Sequence, residues 1–84
     1  MVRDIHEEIN SLELEIVNEE NKINQAIKDD NTAAVRKSLA IIDADIKYLS
    51  IIANGAPIDE KEDLRIRKFL ITHFENKRKL SLFA

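Results

Sequence analysis

Two histidines are the first residues in this chain that could do chemistry. His6-Glu7-Glu8-Ile9-Asn10 opens like a zinc-protease helix, in which histidines four residues apart share one face and a glutamate beside the first acts as base. Asn10 stands where the second histidine is required, so a zinc ion would lack a ligand there. His73 lies within an apolar helical face, where a change in imidazole charge could switch an interface. Its expected place is the edge of the core, bonded to a backbone carbonyl or to a carboxylate such as Glu75. The chain's four serines and two threonines fall in helices or caps with no histidine–carboxylate arrangement around them, which leaves nucleophilic catalysis unsupported. A glycine-rich phosphate loop is excluded by the single glycine, Gly55, and cysteine chemistry by the absence of cysteine. No catalytic residue, cofactor or metal is expected.

Charge is distributed more tellingly than its net value of −3. Residues 1–31 carry nine acids against Arg3, Lys22 and Lys28, whereas residues 64–84 carry Arg65, Arg67, Lys68, Lys77, Arg78 and Lys79 against Glu75 alone. The two ends attract each other, within one chain or between copies. A basic helix also suits phosphate backbones, since bound cations release counterions from nucleic acid. Against that reading, the chain is acidic as a whole and has no Trp and one Tyr for base stacking.

The elements that position these residues are all helical. One Gly, one Pro and many Ile, Leu, Ala, Glu and Lys suit long helices with few breaks. From about residue 3 to 29, Val2, Ile5, Ile9, Leu12, Ile16, Glu19, Ile23 and Ala26 recur at steps of three and four, a heptad seam broken once at Glu19 and Glu20. A lone buried carboxylate is costly, so the break is expected to face solvent or a cationic partner. Asp29-Asp30-Asn31-Thr32 holds residues that end one helix and cap the next.

Residues 33–53 follow, with Val35, Leu39, Ile42, Ile46, Leu49 and Ala53 on one face and Ala34, Ile41, Ala44, Tyr48, Ile51 and Ile52 around much of the rest. A helix so apolar on two sides calls for cover on two sides. Gly55 suits a left-handed position past the helix end, and Pro57 blocks continuation. Asp59 with Glu62 resembles a capping box for a third helix over 60–80, whose inner face reads Ile66, Phe69, Leu70, Phe74 and Leu80. Ser81-Leu82-Phe83-Ala84 is an apolar tail, docked on a neighbour or frayed.

These patterns predict one all-α domain over residues 1–84: a three-helix antiparallel bundle with a long heptad-patterned first helix, self-associating as a homodimer or higher oligomer. At 84 residues a single core supplies only a few kcal/mol, so help from a second copy or another partner is expected. No signal-peptide segment and no apolar run of about 18 residues is present, so a cytoplasmic protein without membrane contact is expected. The function expected is that of a small regulatory, non-enzymatic protein–protein interaction module, an adaptor, inhibitor or assembly factor; the alternative is a nucleic-acid-binding regulator using the third helix. The expected partner surface is the outer side of that helix, where Leu64 and Ile71 stand two turns apart, flanked by Arg67, Lys68 and Arg78. The protein partner itself is not identified by these residues.

Overall fold

Capping chemistry sets where each helix starts and stops. In a computed structural model that describes residues 4–55 and 57–84, α1 runs Ile5–Lys28, α2 Thr32–Gly55 and α3 Glu60–Leu80, followed by a 3-10 turn over Ser81–Phe83. The chain is thus all-α among the described residues. The expected seam position at Val2 and the expected helix start at residue 3 lie outside them.

The Asp4 carboxylate accepts from the His6 amide at 2.9 Å, and Glu7 and Glu8 place negative charge at the positive end of α1. At its other end Asp30 takes a left-handed φ of 53°. That conformation lets the Asn31 amide reach the Ala26 carbonyl at 2.8 Å and the Asp30 amide reach Ile27 at 3.2 Å, closing the helix in a Schellman motif. Asn31 then caps α2 by accepting from the Ala34 amide at 3.1 Å.

The start of α3 is held by Asp59, whose carboxylate accepts from the Glu62 amide at 2.8 Å. The return half of the expected capping box is not made, because Glu62 turns to Arg65 instead. Gly55 corrects another expectation. It has no positive φ and continues α2 as its last residue, so its place in the chain is not owed to left-handed backbone.

Ile9, Ile16, Ile23, Val35, Ile42, Leu49 and Ile66 are fully buried, with Ala26 and Ala53 nearly so. Six of those nine positions were on the expected seams of α1 and α2 beside the two alanines; α3 contributes Ile66 alone, with Phe69, Leu70 and Leu80 partly covered. Helices α1 and α2 therefore make the tight pair, and α3 rests on it. Its polar contacts run in register: Arg65 and His73 meet Glu13 and Glu20 of α1, whereas Arg67 and Lys77 meet Asn54 and Asp43 of α2. The numbers rise together along α1 and α3 and oppose each other along α2 and α3. The Cα envelope is flat, 42 × 28 × 15 Å, so much of each helix stays near the surface. No helix among the described residues is long and apolar enough to cross a membrane.

Candidate interaction surface

Most of the chain's chemistry-bearing groups are used to hold the helices together. Glu13 is buried, and Arg65 donates to both its oxygens, at 2.8 and 3.0 Å, while donating to Glu62 at 2.7 and 3.2 Å. Hydrogen bonding to Arg65 holds the Glu62 carboxyl below its usual range, and the two carboxylates raise the Arg65 guanidinium further above its own.

The break in the α1 seam faces inward and not toward solvent, and of the two expected settings it takes the one with a cation beside it. Glu19 is buried, and Lys22 reaches its Oε1 at 3.1 Å. Burial raises its pKa, but the Ser38 hydroxyl and the Lys22 ammonium outweigh that, and the net shift is downward. Glu20 accepts from Asn76 at 3.3 Å and lies 2.7 Å from His73 Nδ1. His73 is thus at the core edge as expected, but its carboxylate is Glu20, across the helix interface, and not Glu75. Its ring also packs on Phe69 at 4.0 Å between centroids.

Among the described residues two buried carboxylate oxygens are left without a hydrogen-bond partner, Glu19 Oε2 and Asp45 Oδ2. Asp45 Oδ2 is buried on α2 with no donor, facing the Glu15 carboxylate of α1. Burial, then a hydrogen bond that Glu15 makes only with a protonated partner, pushes the Asp45 carboxyl up to about 7. The Glu15 and Glu19 carboxylates both act against ionisation of Asp45, which makes a strained contact and not a binding cradle. Among the described residues no group of three or more His, Cys, Asp or Glu is arranged to hold a metal ion.

Apolar surface remains where charge chemistry ends. On α3, Leu64 is 54% and Ile71 66% exposed, with Arg67, Lys68 and Arg78 exposed beside them. The structure thus leaves all five expected surface residues on the outside of α3. It also adds one that the sequence pattern had assigned to the inner face. Phe74 is 46% exposed and lines a groove of about 270 Å³ between α2 and α3, together with Ile46, Ser50, Leu70, Ile71 and Glu75. Arg67, by contrast, is occupied inside the chain by Asp63 at 2.8 Å and Asn54 at 3.4 Å.

Along α3 the positions 64, 67, 71, 74 and 78 alternate steps of three and four, so the exposed row has the spacing of a helix-pairing stripe. This signal was legible in the sequence, but Phe74 belongs equally to two neighbouring faces, and only packing decides between them. The comparisons with family models, with curated proteins and with solved structures each find no match to this chain.

Proposed function

We propose that this chain is a small non-enzymatic interaction module, an adaptor, inhibitor or assembly factor, that works as a self-associated antiparallel helical bundle. The observation that carries this reading is the exposed apolar row Leu64, Ile71 and Phe74 beside a groove, bordered by Arg67, Lys68 and Arg78. Apolar residues clustered within a cationic border match the centre and rim of an interface better than they match ordinary surface. The flat envelope supports the same reading, since a slab 15 Å thick covers little of its own apolar surface.

The alternative, nucleic-acid binding through α3, draws less support. Of the six cations in residues 64–84, Arg65, Arg67 and Lys77 already hold carboxylates of their own chain. Only Lys68, Arg78 and Lys79 are left to contact phosphates, which is a small electrostatic footprint.

Sedimentation equilibrium at micromolar concentration tests the proposal, with Ile71→Glu as the variant. Wild type is expected to exceed one chain per particle, and Ile71→Glu to keep its helicity while losing mass. A wild-type monomer that unfolds cooperatively would reject self-association. Strong retention on duplex DNA at low salt, lost steeply as salt rises, would favour the alternative.

A further inference from the structure

We propose that the exposed face of α2 and α3 docks on the same face of a second copy, with α3 lying against α3 of the partner subunit in the opposite direction, about a two-fold axis beside Ile71. This rests on reading the chain as a self-associating module and names how the copies meet.

Position on the helices comes first. Arg65 and His73 mark the side of α3 toward α1, and Leu70 and Lys77 the side toward α2. At 100° per residue, Leu64 and Ile71 fall beyond the α2 side, turned away from α1. The same projection of α2 puts Ile51 beyond Ile46 and Ser50, on the same face of the helix pair. Ile51 is 67% exposed. Two helices thus present Ile51, Leu64, Ile71 and Phe74 on one surface, more apolar side chain than isolated exposed residues account for.

Charge then selects the occupant. The first turn of α3 is acidic and its last turn basic; with Glu62, Asp63 and Lys77 held by Arg65, Arg67 and Asp43 of the same chain, Glu60 at one end and Arg78 and Lys79 at the other are left to face a partner. Two α3 helices side by side in the same direction would set acid on acid and base on base. Opposed, each acidic end lies along a basic end, and the helix dipoles also oppose favourably.

Register follows from the middle of the helix. Lys68 and Glu75 are exposed, and among the described residues neither makes an ion pair. They are seven residues apart, so they share one edge of the stripe, Lys68 three residues before Ile71 and Glu75 four after it. A two-fold axis at Ile71 sets Lys68 opposite Glu75 of the partner subunit, and does so twice. It also stacks Ile71 on its own symmetry mate and lays Leu64 along the aliphatic stem of Arg78 of the partner subunit. Two-fold self-complementary contacts are the commonest form of assembly and, unlike head-to-tail contacts, close on themselves.

The experiment is a charge exchange read by sedimentation equilibrium at low ionic strength, with circular dichroism confirming the fold of each variant. Lys68→Glu alone places acid against acid at both pairs, and Glu75→Lys alone places base against base. Each is expected to weaken the dimer by about tenfold or more. Mixed in equal amounts, the two variants restore both pairs, so the mixture is expected to form heterodimers at near wild-type affinity. The double variant Lys68→Glu/Glu75→Lys is expected to dimerise with itself. If wild type is a dimer but the single variants are unaffected, or the mixture fails to recover, the opposed α3 pairing is overturned while self-association stands. If wild type is a monomer, both fall.

Discussion

Arg65 on α3 and Glu13 on α1, 52 residues apart in the chain, form a two-pronged ion pair in which the carboxylate is buried and the guanidinium is half exposed. Breaking such a pair from one side strands a buried charge. Replacing both partners removes the desolvation cost as well as the attraction. Arg65→Met is therefore expected to destabilise the protein by about 2–3 kcal/mol in a denaturant titration, less than a fully buried pair because Arg65 keeps solvent contact. The double variant Glu13→Leu/Arg65→Met is expected within about 1 kcal/mol of wild type. A double variant as unstable as Arg65→Met alone would show that the pair is not coupled.

The core of α2 gives a larger effect. Ile42 is fully buried, so Ile42→Asp places an unpaired charge where no partner is in reach and is expected to abolish cooperative unfolding, a loss above about 4 kcal/mol. Ile46 lines the open groove, and Ile46→Asp is expected to cost distinctly less. Lys61→Ala, on exposed α3 surface, is expected to shift stability by less than about 0.5 kcal/mol. Equal melting curves for Ile42→Asp and Lys61→Ala would refute the assignment of the inner face.

Asp45 ties stability to pH. Its folded-state pKa, about 7, lies above the ordinary 3.8, so the folded protein binds this proton more tightly than the unfolded chain. The contribution of Asp45 is full below pH 3.8 and is lost as pH rises toward 7. Asp43 has the opposite sign: hydrogen bonds from Lys77, then Lys47, lower its pKa, and its stabilisation is lost as pH falls through that depressed value. Glu62, lowered by Arg65, behaves likewise. Asp45→Asn removes the charge that cannot be satisfied and supplies a donor to Glu15. It is expected to raise stability at pH 7.5 by about 1–2 kcal/mol and to leave it nearly unchanged at pH 4. An equal gain at both pH values would mean that ionisation of Asp45 is not the cause.

Two backbone sites respond in opposite ways to glycine. Gly55 ends α2 without a positive φ, and a Cβ there meets nothing within 4 Å, so Gly55→Ala is expected to stabilise by about 0.5–1 kcal/mol through the unfolded chain. Asp30 holds a left-handed φ of 53°, where Asp30→Gly relieves strain and is expected to be neutral or slightly stabilising, whereas Asp30→Val is expected to cost about 1–2 kcal/mol. Thermal melts of the three variants check both assignments.

Amide exchange offers a test of how unevenly the fold is held. Because Ile66 is the only fully covered side chain of α3, its amides are expected to exchange faster than those at the centres of α1 and α2. Equal protection in all three helices would show that α3 is more firmly packed than its burial indicates.

Local chemistry in the sequence determined the three helices and most of the core. Apolar spacing picked out Ile9, Ile16, Ile23, Val35, Ile42 and Leu49, because side chains three and four apart share a helix face whatever that face meets. Asp59 and the Asp29–Thr32 run marked their caps, because capping is a bond between near neighbours. Tertiary structure alone decided the fate of the charges. Glu13 is inside because Arg65 arrives from α3 to bind both its oxygens, and Glu19 keeps its charge there through Lys22 and Ser38 although its Oε2 has no partner; no periodicity within α1 encodes the arrivals from α2 and α3. It also decided that His73 answers to Glu20 and that Phe74 lines a groove. Each lies on a boundary between two helical faces, and which face a boundary residue joins depends on how far the neighbouring helix reaches round, a distance set by packing between segments remote in sequence.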